Sequence, residues 1–292
     1  MATALVAVSE DMKALRSSMK LAHDAQQSVE RFRIQIGNRI GAVERGVDNQ
    51  PTEVLDYYRD FFEDVQRREE ELDALIARLV KRFPVWNYWL KNVKGIGPSL
   101  AGQLLAMLLP VHAELGPSTW YKAAGLAPEL QADGQMRLPR PKEVRCPECN
   151  GNSFSNKTMV DTETGEEHLV KTCRSCKEVL PSGYGKITWY PALRRCLYNL
   201  ATSFVRTGGY YREQYDSYKL YLQGAHANDE KWPPIRLDRV ARWHTVKLFL
   251  SHLWEMTCEA EGISEHRRAY VLDKLNHQHY IPAPVSQDGK KI

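Results

Sequence analysis

The chain has no apolar run long enough to cross a membrane. Its longest candidate, LAGQLLAMLLPV at residues 100–111, falls short of the roughly 18–20 apolar residues that a helical span needs. The N-terminal residues also lack the charged and apolar pattern of a secretory signal peptide. We therefore expect a cytoplasmic protein that has no membrane contact and in which disulfides are rare.

A large excess of one charge is also missing. The 292 residues include 40 Lys and Arg against 36 Asp and Glu, a formal net charge of +4. Residues 1–90 contain 13 basic and 15 acidic side chains, so residues 91–292 must carry a net +6. The chain is long enough, and at 43% hydrophobic residues apolar enough, for two domains with cores. Its basic C-terminal two-thirds points towards a polyanionic partner.

Cysteine is sparse but paired. Four of the six cysteines form two CxxC motifs, Cys146-Pro-Glu-Cys149 and Cys173-Arg-Ser-Cys176, with 23 residues between them. Two such turns supply four thiolates at one point, the ligand set of a structural zinc ion with no open coordination position. Short Val, Thr and Leu runs around a polar TETGEE segment predict a β-hairpin between the motifs. Two disulfides or a dithiol redox pair are the alternatives. The lack of a signal-peptide pattern and the helical, apolar contexts of Cys196 and Cys258, typical of buried thiols, disfavour them.

The first ninety residues have the pattern of long helices. Apolar side chains recur mostly at spacings of three and four over residues 52–90, and a second helical stretch covers residues 12–43. The turn between them ends in Pro51, which can start the next helix. This pattern fits either a helical hairpin that fills a core or a coiled-coil arm that forms homo-oligomers.

A glycine turn follows these helices. In VKGIGPSLAGQLLAML at residues 93–108, Lys94, Gly95, Ile96 and Gly97 precede a helix of small and apolar residues, the pattern of a helix-hairpin-helix motif. The glycines let the backbone turn sharply and approach a phosphate, while the amides that start the next helix point at the anion and Ile96 anchors the turn. Such a contact reads the backbone and not the base sequence. A plain interhelical turn is the alternative.

Several short blocks together resemble a known family. GIGPSLAGQLLAML, WYKAAGLAPE at 120–129 and SGYGKITWYPALRRCLYNLA at 182–201 have the order and approximate spacing of the C-terminal domain of the DEDD-type insertion-sequence transposases, which use a bridge RNA. YYREQYDSYKLYL and RLDRVARWHTVKLFLSHLWEM resemble its closing helices, so the resemblance covers roughly residues 60–257. It implies a long coiled-coil helix that leads into a glycine hairpin, and DNA strand exchange as the family's activity.

Two departures limit what this resemblance implies. Residues 1–90 are too short and too helical for the family's acidic nuclease-like domain, and the CxxC pairs interrupt the matching blocks. The resemblance also implies a nucleophilic serine before a glycine, a context that Ser182 matches. Lys186, Arg194 and Arg195 are near enough in sequence to supply the positive charge that phosphoryl transfer needs. The alternative is a simple turn at Ser182 and a helix whose arginines only grip phosphate.

A further basic stretch lies near the C-terminus. At residues 231–247, Arg239 and Arg242 occur near tryptophan and histidine, a mixture that suits a nucleic-acid backbone, with a solvated helix face as the alternative.

The sequence as a whole predicts a mainly α protein. We expect a helical hairpin or coiled-coil arm at 1–90, then a helix-hairpin-helix domain at 91–140 and 181–280, with a small β zinc ribbon inserted at 141–180 and a disordered tail at 281–292. The favoured function is binding of nucleic acid, mainly the DNA backbone, with RNA as a second candidate, in mobile-element or phage DNA transactions. A serine-dependent recombinase that acts with a partner in trans, and an oligomeric structural or interaction protein, are the alternatives.

Overall fold

The computed structural model of the chain describes residues 10–108, 116–130, 136–137, 146–151, 153–160, 167–180, 189–263 and 280–284. The described residues divide into two compact units. The helical unit contains those before Gly125 and after Tyr190, and the cysteine unit contains those from Gly125 to Tyr190. Across these described ranges, no helix combines the length and the apolar character that a membrane crossing requires.

The described part of the helical unit is built from eight α-helices. They are α1 (Glu10–Glu44), α2 (Thr52–Val80), α3 (Pro84–Tyr88), α4 (Pro98–Met107), α5 (Ser118–Ala123), α6 (Pro191–Thr207), α7 (Tyr210–Ala225) and α8 (Pro234–Ala260). Proline is the first residue of α3, α4, α6 and α8. That position tolerates proline because its N–H would have no partner inside the helix and its φ is already helical. A short 3-10 turn, Leu90–Asn92, follows α3.

The prediction of one continuous helix over residues 52–90 is wrong at its C-terminal end. Helix α2 ends at Val80, and Phe83 is extended, with φ −79° and ψ 123°. The physical cause is Pro84, because the ring of a proline disfavours the helical conformation in the residue before it. The chain then restarts as the short helix α3 and turns into the 3-10 segment.

Helices α1 and α2 lie side by side and run in opposite directions. Arg33 of α1 pairs with Glu69 of α2, and Glu44 at the end of α1 pairs with Arg59 at 3.0 Å. Ion pairs with this much solvent exposure contribute less than about 1 kcal/mol each. The association of the two helices therefore depends mainly on apolar contacts, such as those of the buried Ile36.

Helix α4 packs against both long helices at the end remote from their connection. A Cβ added at Gly102 would lie 2.8 Å from the sulfur of Met19 and 3.0 Å from Ile76, so the backbones approach too closely for a larger residue. On the same side, His23 Nε2 donates to the carbonyl of Ser99 at 3.0 Å. These contacts anchor α1 and α2 to the rest of the helical unit.

The core of the helical unit is aromatic and centres on α8. The ring centroid of Phe249 lies 5.4 Å from that of Phe204 on α6 and 5.3 Å from that of Tyr211 on α7. Trp89 stacks on the same phenylalanine at 5.9 Å. Each such pair adds about 0.5–1.5 kcal/mol beyond the burial of its surface. The cluster thereby fixes α6 and α7 on α8 and decides which face of α6 meets solvent.

A buried histidine ties a C-terminal segment, residues 280–284, to this core. The hydroxyl of Tyr211 lies 2.8 Å from Nδ1 of His252, and His252 Nε2 donates to the carbonyl of Ile281 at 2.9 Å. Because Nε2 carries the proton and donates, Nδ1 of the neutral ring accepts a hydrogen bond from the hydroxyl of Tyr211. The tail predicted as disordered lies outside the described residues from 285 onwards.

The described strands of the chain belong to the cysteine unit. A two-residue pair, β1 (Glu129–Leu130) and β2 (Met136–Arg137), is antiparallel. A three-stranded antiparallel sheet has the order β3-β4-β5, with β3 at Phe154–Val160, β4 at Glu167–Cys173 and β5 at Val179–Leu180. The prediction of a mainly helical protein with a small antiparallel sheet is confirmed. The helix-hairpin-helix and coiled-coil interpretations stay predictions.

Candidate metal centre and nucleic-acid interface

The first CxxC motif lies on a tight turn that directs both of its sulfurs towards the same position. The N–H of Cys146 donates to the carbonyl of Gly151 at 2.8 Å, and the N–H of Asn150 donates back to the carbonyl of Cys146 at 2.9 Å. Closing this turn requires a left-handed residue, which Asn150 supplies with φ 57°. Asparagine tolerates that conformation better than most residues.

The second motif repeats the same hydrogen bonds. The N–H of Cys173 donates to the carbonyl of Glu178 at 2.8 Å, and the N–H of Lys177 donates to the carbonyl of Cys173 at 3.0 Å. Lys177 is left-handed, with φ 64°, at the place that matches Asn150. Strand β4 ends at Cys173 and β5 begins directly after Glu178, so the sheet holds this turn in place.

The two turns bring the four sulfurs together, as the spacing of the cysteines predicts. The Sγ atoms of Cys146, Cys149, Cys173 and Cys176 all lie within 4.8 Å of one another. Cys146 Sγ lies 3.4 Å from Cys176 Sγ, and Cys149 Sγ lies 3.5 Å from Cys173 Sγ. Disulfide-bonded sulfurs would be about 2.05 Å apart. Sulfurs placed tetrahedrally about 2.3 Å from a zinc ion would be about 3.8 Å apart, so this set could hold such a metal ion.

The thiols of Cys173 and Cys176 influence one another's pKa. The backbone N–H of Cys176, followed by that of Ser175, lowers the pKa of Cys173 to about 6. At Cys176 the backbone N–H of Glu178 acts in the same direction, but burial and the neighbouring sulfurs outweigh it and raise the pKa to about 12. Adjacent thiols therefore resist ionising together. A bound cation would remove that resistance by neutralising the accumulating negative charge.

Gly151, which follows the first CxxC motif, leaves room for the sulfurs of the cluster. A Cβ added at Gly151 would lie 3.2 Å from Cys149 Sγ and 3.2 Å from Ser175 Oγ, so a larger side chain would crowd the sulfurs. The available signal was the parallel between CPECNG and CRSCKE, in which Asn150 and Lys177 occupy the same place.

The predicted phosphate-binding turn, residues 94–97 (the glycine loop), has one glycine with a clear structural role. Gly95 has φ +93°, and a Cβ there would lie 2.7 Å from Thr207 Oγ1 and 3.2 Å from Phe204. Its carbonyl accepts a hydrogen bond from Ser203 Oγ at 2.6 Å. Gly95 is thus required for the loop to pack on the C-terminal half of α6. Ile96 is buried, at 7% exposure, as its predicted anchoring role requires.

Gly97 differs from Gly95, because nothing in the described part of the helical unit requires a glycine there. Its φ of −92° and ψ of 172° are open to any residue, and a Cβ would meet no described atom within 4 Å. It is exposed and directly precedes α4. The backbone at Gly97 is therefore open to close approach by a partner from solvent.

Lys94 lies beside a second glycine turn. A Cβ added at Gly209 would lie 3.0 Å from Lys94 Cδ and 3.2 Å from its Cβ, so the lysine stem covers the start of α7. Gly209 has φ +87° and Gly208 has φ +76°, which favours glycine at both positions. Lys94 remains exposed overall, so the aliphatic stem is packed while the rest of the side chain meets solvent.

Helix α6 presents an exposed face that has no acidic side chain. Its sequence, PALRRCLYNLATSFVRT, contains three arginines and neither Asp nor Glu. Arg195, Tyr198, Thr202 and Arg206 recur at spacings of three and four and so share one side of the helix, here called the α6 face. Arg195 and Arg206 are exposed, and neither forms an ion pair with another described residue.

Arg194 and Tyr198 both approach a tryptophan of α8. The Arg194 guanidinium lies 5.6 Å from the Trp243 ring centroid, and the Tyr198 ring lies 6.1 Å from it at an angle of 53°. Partial burial lowers the pKa of Arg194. Arg194 is therefore half-buried against Trp243 at the border of the α6 face, whereas Arg195 is exposed to solvent.

The two arginines predicted on α8 have different surroundings. Arg242 Nε lies 2.8 Å from Asp238 Oδ2, and its Nη1 donates to Thr202 Oγ1 at 3.2 Å. Its guanidinium is thus already engaged in joining α8 to α6. Arg239 is exposed and has no ion pair among the described residues. The structure brings Lys94, Gly95 and Arg242 into contact with α6 or its C-terminal turn, but it shows no such contact for Arg239.

Ser182 and Lys186, the predicted nucleophile and its neighbouring cation, lie outside the described residues. Tyr198, Thr202 and Arg206 are the members of the α6 face that sequence reasoning missed. Their three-and-four spacing was visible in the sequence, but the choice of exposed side required knowledge of how α6 packs on α8.

No protein-family model matches the chain, and no curated protein matches it either.

Proposed function

We propose that this protein binds nucleic acid, chiefly DNA, through contacts to the phosphate backbone. The observation that carries the proposal is the α6 face, where two exposed arginines occur on a helix without acidic residues. Lysine and arginine that neutralise phosphates provide most of the sequence-independent affinity for DNA. RNA has the same phosphate chemistry and is the second candidate ligand.

The spacing of the charges supports a contact along a strand. Arg195 and Arg206 are eleven residues apart on one helix, or about 16 Å at 1.5 Å per residue. Along the axis of a DNA duplex, which rises about 3.4 Å per base pair, this distance corresponds to about five base-pair steps. The glycine loop packs on Ser203 and Thr207, so Lys94 and the open backbone at Gly97 lie near the end of α6 that carries Arg206.

The resemblance to transposase C-terminal domains is consistent with this role. A helix-hairpin-helix interpretation of the glycine loop assigns the same amides to phosphate, since Gly97 precedes the first turn of α4. We infer a function in mobile-element or phage DNA transactions, in which the described interface contributes binding.

We propose that the four-cysteine centre binds one zinc ion with a structural role. Cys146, Cys149, Cys173 and Cys176 supply four sulfur ligands, which leave no coordination position for a substrate. The ion would join the turn before β3 to the turn after β4 and so hold the sheet of the cysteine unit together.

The long helices α1 and α2 support a proposal of self-association. An apolar groove with a volume of about 400 Å³ is lined by Val29, Phe32, Phe61 and Val65, and Phe32 is 52% exposed. Association of two copies through this groove would cover these side chains. Light scattering should report an oligomer for the parent chain and a smaller species for Phe32→Glu.

Charge reversal on the α6 face tests the proposed interface. The double variant Arg195→Glu and Arg206→Glu should lose most of its DNA affinity for all sequences alike, and the slope of log affinity against log salt should fall by about two. Arg31→Glu is the matched control, because Arg31 is an exposed arginine on α1, away from the α6 face. Equal affinities of the double variant and the parent for duplex DNA, single-stranded DNA and structured RNA would contradict the proposal.

A further inference from the structure

We propose that the α6 face holds an unpaired nucleobase stacked on Tyr198, so that the preferred ligand is single-stranded or locally unpaired DNA. This inference rests on the proposed function and specifies its substrate. Phosphate contacts alone would not distinguish paired from unpaired strands, whereas a stacked base must first leave its partner.

The position of Tyr198 carries the first step. It is 49% exposed and lies between Arg195 and Arg206 on the α6 face. A strand whose phosphates contact both arginines would pass over this ring. Every base has a π-face, so an aromatic ring in such a path accepts bases with little sequence preference.

The support behind Tyr198 carries the second step. The ring of Trp243 lies 6.1 Å away at 53°, and the Arg194 guanidinium lies 5.6 Å from that indole. Tyr198 is thus held from one side by packed groups while about half of it meets solvent. A ring held in this way loses little freedom when a base stacks on it.

Other aromatic residues at the surface show why charge matters. Tyr57 is 67% exposed, but it lies on α2 beside Asp56 and near Asp60, whose carboxylates would repel a phosphate. At the turn between α7 and α8, Trp232 stacks on His226 at 3.7 Å and has Arg236 over its ring at 4.4 Å. His226 and Arg236 already contact that indole, whereas Tyr198 combines an exposed ring with Arg195 and Arg206, which form no ion pair among the described residues.

The test compares affinities for a single strand of about 20 nucleotides and for the matched duplex, at one fixed salt concentration. Tyr198→Ala should weaken binding of the single strand about tenfold and leave duplex binding within about twofold of the parent, because one stacked base is lost. Tyr198→Phe retains the ring and should bind like the parent. Tyr57→Ala is the control for loss of an exposed tyrosine, and thermal melting checks that each variant is folded.

A fluorescent base analogue in the single strand gives a second measurement. Its emission should be quenched on binding to the parent and to Tyr198→Phe, but much less on binding to Tyr198→Ala. Single-strand affinity that is unchanged in Tyr198→Ala, or an equal loss for both ligands, would overturn the stacking proposal. If the charge-reversed double variant still loses affinity in that case, backbone binding stands alone; if the parent binds neither ligand, both proposals fail.

Discussion

The helical unit and the cysteine unit differ in what holds them together. In the helical unit, Trp89, Phe204 and Phe249 are fully buried and stack around α8. The cysteine unit is small, and the sulfurs of Cys146 and Cys173 are among the few side chains that its described residues bury. A unit of this size with little apolar core commonly depends on a metal ion or disulfides.

We therefore expect the residues that stabilise the cysteine unit and those proposed to bind nucleic acid to lie in different units. The candidate nucleic-acid interface consists of side chains and loops that the aromatic core fixes, without any contribution from the sulfurs. Four cysteine ligands would leave a bound metal ion no open position for a reactant. Damage to one unit should therefore leave the properties of the other largely intact.

Removal of a cysteine ligand has the largest expected effect. Cys149→Ser should abolish stoichiometric zinc binding and unfold the cysteine unit, because structural zinc contributes about 10–16 kcal/mol to the folding of small domains. The helices should be retained, which circular dichroism measures, and the proteolytic cleavages that the parent does not show should fall between residues 125 and 190. Elemental analysis of the parent should give one zinc per chain. Far less than one, or loss of helical signal in Cys149→Ser, would contradict the account.

The cluster of four cysteines could be predicted from sequence far better than the exposed α6 face. Each CxxC turn is local, so the spacing of Cys146, Cys149, Cys173 and Cys176 already determines where the sulfurs point. The α6 face depends on tertiary packing, because contacts of buried residues such as that of Phe204 with Phe249 determine which side of α6, including Tyr198, meets solvent. Charge alone suggested a phosphate contact for Arg242, and only part of its pairing was visible in the sequence: Asp238 lies four residues earlier on α8, whereas Thr202 is on α6 and distant in sequence.

A substitution in the aromatic core should have the opposite effect to Cys149→Ser, since it should weaken the helical unit and leave zinc binding unchanged. Phe249→Ala should lower the free energy of unfolding of the helical unit by about 3–5 kcal/mol, because it leaves a cavity among three aromatic rings. Zinc content should remain that of the parent. Chemical denaturation followed by far-ultraviolet circular dichroism, together with elemental analysis, checks both statements. Coupled loss of helix stability and zinc would show that the two units do not fold independently.

Acid should weaken the helical unit through its buried histidines. Burial lowers the pKa of His252 to about 4, and burial together with Lys247 lowers that of His244 to about 4. The unfolded values are about 6.5, so the unfolded chain binds more protons between these limits. Stability is therefore present above about pH 6.5 and is lost as the pH falls towards 4, by up to about 3 kcal/mol per histidine.

Urea unfolding at pH 7 and pH 5 measures this dependence. His252→Gln should be less stable than the parent at pH 7 but should show a smaller decrease on acidification, because one of the two protonation sites is gone. A decrease as large as that of the parent would exclude His252 as a source of the pH dependence.

The two glycines of the glycine loop should respond differently to a methyl group. Gly95→Ala should destabilise the helical unit by about 1–3 kcal/mol, because it combines positive φ with a clash at Thr207. Gly97→Ala should change stability by less than about 0.5 kcal/mol. The bulkier Gly97→Val should remain folded and bind DNA more weakly. If Gly97→Val binds DNA as the parent does, the loop is only a structural turn.

The salt dependence of DNA affinity tests the central claim most directly, namely that nucleic-acid binding resides on the α6 face and does not need the metal centre. The slope of log affinity against log salt is measured for the parent, for Cys149→Ser and for the double variant Arg195→Glu and Arg206→Glu. The account predicts the parent's slope in Cys149→Ser and a slope reduced by about two in the double variant. A slope that falls in Cys149→Ser and is unchanged in the double variant would place the phosphate contacts on the cysteine unit and contradict the account.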